Sequence, residues 1–161
     1  MSLLLKFLSF KQLPAAIRWR IPVTWCLLGL ARLLVLLLPF RWLVPRLGQR
    51  AAAPVVLLVQ ASQLKQLLLL KQLIAVTSKY CPWRANCFAQ AITAKLWLSW
   101  WGLPYTVFFG VARDPIQQLK AHAWVMAGPV AVSGGYAFAH YTVVGSYVSD
   151  INAVSGNCCK E

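Results

Sequence analysis

Gly102 and Pro104 divide this chain into two kinds of polypeptide. Upstream, long Leu-rich and Ala-rich stretches free of Gly and Pro read as helices. Downstream, short runs of β-branched and aromatic residues punctuated by Gly and Pro read as strands. One predicted helix spans Val55 to Lys79, where Gln60, Gln63, Gln66, Lys71 and Gln72 make an incomplete polar stripe, the mark of an element largely covered by others. A second runs from Cys87 to Trp101 and stops at Gly102 and Pro104. Strands follow at Tyr105–Val111, Ala121–Ala127, Val130–Ser133 and Tyr141–Val148, with turns at Gly128-Pro129 and Gly134-Gly135. The predicted class is α+β: a helical N-terminal region, then a helix packed on a small antiparallel sheet.

The first 54 residues are hydrophobic and basic. Leu3 to Phe10 reads as a short amphipathic helix that Pro14 ends or bends. Val23 to Leu38, bracketed by Pro22 and Pro39, reads as another. Its 16 residues are short for a bilayer and Arg32 stands at the middle, so a helix packed in the protein is expected rather than a membrane span. Phe40 to Arg50 is a basic connector in which Arg41, Arg46 and Arg50 lie among Trp42, Pro45 and Gly48; Trp beside Arg also suits a membrane surface. The predicted organisation is therefore a helical region over 1–54, a core over 55–148 and a frayed tail over 149–161. No signal peptide is expected, because the first long apolar run begins late and no small-residue cleavage site follows it.

The charge is one-sided. The net charge is +13, 14 of the 16 Lys and Arg residues precede Asp114, and no acid does. Such a field attracts anionic lipid, nucleic acid or an acidic peptide. Nucleic acid is disfavoured, since aromatic residues do not interleave with Lys and Arg along one predicted strand face. Five cysteines, with Cys158 and Cys159 adjacent in the tail, suit a reducing, cytoplasmic compartment, with membrane association open. No second cysteine pair at zinc-site spacing accompanies Cys81 and Cys87, and no phosphate-binding glycine loop is present, so neither metal nor cofactor is expected.

The chemistry is concentrated between Tyr80 and Trp124. Asn86 is a strong N-cap, so Cys87 falls in the first turn of a helix, where unpaired N–H groups and the macrodipole favour a thiolate. Arg84 adds positive charge nearby. His122 follows 35 residues later in a predicted strand whose alternation puts His122, Trp124 and Met126 on one face and Ala121, Ala123, Val125 and Ala127 on the other. A histidine in a strand crossing the helix start can serve a thiol as its base. The competing reading is plain: a lone Cys in an apolar helix is commonly a small buried hydrophobe, and a His beside Trp commonly a core residue. His140, at a strand edge, reads as surface or structural.

Five segments carry a resemblance: Trp83-Arg84-Ala85-Asn86-Cys87-Phe88-Ala89-Gln90-Ala91, Trp101-Gly102-Leu103-Pro104 leading into Phe109-Gly110-Val111, Ala121-His122-Ala123-Trp124-Val125, Gly134-Gly135, and Tyr141-Thr142-Val143-Val144. In this order they resemble the transglutaminase-like cysteine peptidase domain of the B-type proteins of lasso peptide biosynthesis, in its split form. Leu30 to Leu34 and Leu38 to Arg41 are similar to that family's helical N-terminal part. The resemblance implies a papain- or transglutaminase-like core and an enzyme that removes the leader from a ribosomally made precursor peptide. It gives Cys87 the nucleophile's role and His122 the base's.

It also implies partners: the precursor peptide, a separate leader-recognition protein, for which this chain has no room, and a lasso cyclase. An acidic residue about a dozen positions after the histidine is normal in that family, and here the place falls in Val132-Ser133-Gly134-Gly135. Ser133 or a backbone carbonyl could orient His122 instead, or Asp114 or Asp150 could fold back to it. Otherwise the protein is a weak or inactive peptidase fold acting at a membrane surface or as a scaffold. Gln90, one turn after Cys87, is either an oxyanion donor or an ordinary polar position.

Overall fold

The computed structural model describes residues 15–83, 85–113, 119–135 and 137–149. The expected helix at Leu3–Phe10, Arg84, Asp114, Asp150 and the tail from 150 onward lie outside these. In chain order the elements are α1 (Ala15–Arg18), α2 (Ile21–Leu37), α3 (Phe40–Leu43), a 3-10 turn at Val44–Arg46, β1 (Gln49–Arg50), a 3-10 turn at Ala61–Gln63, α4 (Leu64–Tyr80), α5 (Cys87–Trp100), β2 (Thr106–Arg113), β3 (Leu119–Ala127), β4 (Val130–Ser133) and β5 (Thr142–Val148). The class is α+β, as the sequence implies.

Pro22 is not outside its helix but in its first turn, where a missing N–H costs nothing and the fixed φ suits the helix. The expected helix from Val55 begins only at Leu64. Residues 54–60 are not helical, and the turn into α4 is set by Gln60 and Gln63, each side chain bonding the other's backbone N–H in a capping box. Val55, Val56 and Val59 are β-branched and contribute little to helix nucleation, so the cap decides the start. The basic connector is more ordered than the sequence suggests, giving α3, a 3-10 turn and β1.

All strand pairings are antiparallel, in the order β1-β5-β2-β3-β4. The alternation read from β3 holds. Ala123, Val125 and Ala127 join Val107, Val130 and Val132 in the main core against Leu67, Leu70, Leu73, Ala89, Ala91 and Leu98 of α4 and α5. On the other face Phe108, Trp124, Met126 and Ala131 form a smaller cluster with Ala137, Tyr141 and Val143. Helix α2 lies over the helices rather than the sheet: Trp97 Nε1 donates to Thr24 Oγ1 at 3.2 Å, and Trp25 Nε1 to the Thr77 carbonyl at 3.2 Å.

Tyr105 joins the sheet to the N-terminal part. Its hydroxyl donates to the Leu47 carbonyl at 3.2 Å and accepts from Ser99 Oγ at 3.3 Å. Ser149, expected in the frayed tail, is buried and bonds Tyr105 twice: its N–H donates to the Tyr105 carbonyl at 2.9 Å and its Oγ accepts from the Tyr105 N–H at 3.2 Å. Burial pushes the Tyr105 phenol above its ordinary 10.0, with the Ser99 hydrogen bond acting the other way. The unfolded chain therefore loses this proton first, so stability present below pH 10.0 is lost as pH rises past it. Tyr105→Phe should flatten that alkaline fall, at a cost of about 1 kcal/mol near neutrality, readable by denaturant titration across the alkaline range.

Candidate active site

Helix α5 starts where the sequence says it should. The Asn86 side chain accepts from the Ala89 N–H at 3.1 Å, a cap worth about 1 kcal/mol. That bond satisfies one of the first-turn donors and leaves the N–H groups of Cys87 and Phe88 without helical partners. Cys87 is half-buried with a free thiol. Gln90 does not stand free as an oxyanion donor: its Nε2 donates to the Ala85 carbonyl at 2.9 Å and ties the approach loop to the helix. Cys81 Sγ donates to the Trp83 carbonyl at 2.8 Å in that same loop, as a structural neighbour of Cys87.

The helix start is fixed against the sheet by aromatic rings. Phe88 meets Phe109 at 5.4 Å and Phe40 at 5.4 Å, and Phe40 meets Phe109 at 5.2 Å. Phe109 pairs with Ala123 across β2 and β3, so the first turn of α5 is anchored at the residue pair next to His122. The histidine itself points the other way. Its ring stacks on Tyr141 at 4.9 Å and Trp124 at 5.9 Å, within the outer cluster. Among the described residues Cys87 and His122 share no hydrogen bond, and each is positioned by its own surroundings.

What His122 bonds is the Gly134 carbonyl, at 2.9 Å and 12 residues along the chain. A carbonyl only accepts, so Nε2 carries the proton and Nδ1 is left as the basic nitrogen. Among the described residues a backbone carbonyl, one of the alternatives the sequence leaves open, is what bonds His122. Ser133, the other nearby candidate, is buried and its Oγ has no partner. Asp114 and Asp150 lie outside the described residues. His140 is exposed, in the turn that closes the outer cluster.

Sequence reasoning gives no supporting role to Gly110 or Tyr141. Gly110 pairs with His122 on one side and Val143 on the other, and a Cβ there would meet the Trp124 ring at 2.8 Å and Tyr141 Cβ at 2.9 Å. The missing side chain opens the gap through which Tyr141 reaches the imidazole. A glycine inside an aromatic strand is the signal that could have found it. Gly134 holds its carbonyl toward His122 from a φ of +74°.

The β3–β4 register ends at Val125 opposite Ser133, and past it the Gly134 turn lies against Ala123 and Trp124. His122 therefore stands past the end of the β4 register, half-buried and one position from the pair that anchors the helix start.

A family model described as Transglutaminase-like superfamily matches residues 34–146, more than half of the chain. No curated protein and no solved structure matches it.

Proposed function

The chain belongs to the transglutaminase-like superfamily, and on that premise we propose that it is a cysteine peptidase in which Cys87 is the nucleophile and His122 its base. The observation that carries the reading is the Gly134 carbonyl on His122 Nε2, which leaves Nδ1 free to accept the thiol proton. The Cys87 thiolate attacks the scissile carbonyl carbon, and the N–H groups of Cys87 and Phe88 meet the developing oxyanion. The imidazolium returns its proton to the leaving amine. Water, deprotonated by the same imidazole, then hydrolyses the thioester and frees the thiol.

The substrate we assign is a ribosomally made precursor of the lasso type, cut at its leader. A separate leader-recognition protein delivers it and a cyclase consumes the product. The segments quoted above from Trp83 to Val144 support this. The core at 55–148 would hold the chemistry and residues 1–54 the support. Mixing the protein with such a precursor and its leader-binding partner should release the intact leader, read by mass spectrometry; an uncut precursor would overturn the assignment.

A working dyad also needs the imidazole to leave its stack on Tyr141 and come round β3 to the thiol. A short bis-electrophile that alkylates Cys87 should therefore bridge to His122, seen as one cross-linked peptide pair. Alkylation of Cys87 with no bridge to His122 favours the second reading, an inactive scaffold on a peptidase fold, which the outward stacking of His122 supports.

A further inference from the structure

Helix α2 has two apolar faces, and the protein uses only one. Ile21, Thr24, Leu28 and Ala31 are buried against the helical core, pinned by the indole hydrogen bonds to Thr24 and from Trp25. The opposite face carries Val23, Cys26, Leu30, Leu33 and Leu37, and Trp19 in the preceding turn continues the series, alternately four and three residues apart with no polar residue. All six are exposed, Trp19 at 83% and Leu37 at 70%. The segment Ala15–Leu37 is long and apolar enough to cross a membrane, with 22% of its most apolar stretch buried. Spanning would tear the inner face from the core and draw Arg32 into hydrocarbon.

We propose that this face docks flat on an anionic lipid bilayer, with α2 lying in the interfacial plane. Charge decides between lipid and a second copy of the chain. Arg18 and Arg20 stand at one end of the stripe and Arg41, Arg46 and Arg50 follow the other. The whole chain has three acidic residues against 16 Lys and Arg. Two chains of +13 repel each other, whereas a negative headgroup layer complements the field. Trp19 and Trp42, both exposed, sit near the two ends of the stripe as interfacial anchors. The site proposed for Cys87 and His122 plays no part in this inference.

The test is vesicle flotation of the full chain. Vesicles with roughly one-third phosphatidylglycerol in phosphatidylcholine should bind it at least ~10-fold better than phosphatidylcholine alone, and roughly 0.5 M salt should reverse most of that. Leu33→Glu with Leu37→Glu should lower binding by ~10-fold or more while circular dichroism and the melting temperature stay unchanged. Equal binding to both vesicles, no binding to either, or full binding by the folded variant overturns the proposal. So does a sedimentation mass of two chains that the same variant returns to one, which would assign the face to self-association.

Discussion

Cys87→Ala is expected to bring leader cleavage to background, and His122→Ala to lower it by roughly 10^3-fold. Without the sulfur there is no atom to form the thioester. Without the imidazole the thiol has no proton acceptor and the amine no donor. Because the two act as one unit, the double variant should be no slower than Cys87→Ala alone. Cys81→Ala and Cys26→Ala should retain activity, since the first thiol is spent on the Trp83 carbonyl and the second lies exposed on α2. Precursor cleavage followed by mass spectrometry reads all five variants. Retained cleavage in Cys87→Ala would remove the nucleophile from the scheme, and retained cleavage in His122→Ala the base.

Gly134→Ala is the second large effect. The φ of +74° strains any L side chain, and the new Cβ would lie 2.6 Å from the Ala123 carbonyl oxygen and 2.6 Å from Trp124 Cβ. Backbone cannot yield as a flexible side-chain tip does, so the turn must move, at a cost of about 3 kcal/mol with strain included. The carbonyl on His122 moves with it, and the pH dependence of cleavage should change along with the rate. Gly135→Ala is the control. Its φ is +70° but nothing lies within 4 Å, so only the strain of about 1 kcal/mol is expected. Paired thermal melts and pH profiles separate the two contributions. Equal effects at 134 and 135 would mean that the contact with β3 does not matter.

The elements legible in the sequence are those specified locally. Asn86 capped α5, Gly102 and Pro104 ended it, and period-two alternation in β3 sorted Ala123 and Val125 from Trp124 and Met126. Where neighbours decide, the reading went astray. Leu-rich composition carries the helix back to Val55, yet a Gln60–Gln63 box sets the turn into α4, which starts nine residues later at Leu64. Ser149 looked like tail because nothing local says that it will bond Tyr105, 44 residues away. The two residues proposed for catalysis were named from cap and alternation. Their support is partly legible: a backbone carbonyl within Val132–Gly135 is one of the alternatives the sequence offers His122, whereas Tyr141 reaches it across an intervening strand. Alternation did give the face on which His122 lies, but not that the first turn of α5 would be anchored beside the same residue pair.

The two-residue strand β1 has a consequence for anyone expressing part of this protein. Gln49 and Arg50 pair with Val148 and Tyr147, and the Ala51 N–H donates to the Ser146 carbonyl at 3.0 Å. A fragment beginning at Val55 would lose these bonds together with Thr24, the partner of the Trp97 indole, leaving β5 as an unprotected border. Such a border recruits other chains. Inclusion bodies, rather than a minimal soluble catalytic unit, are the expected product.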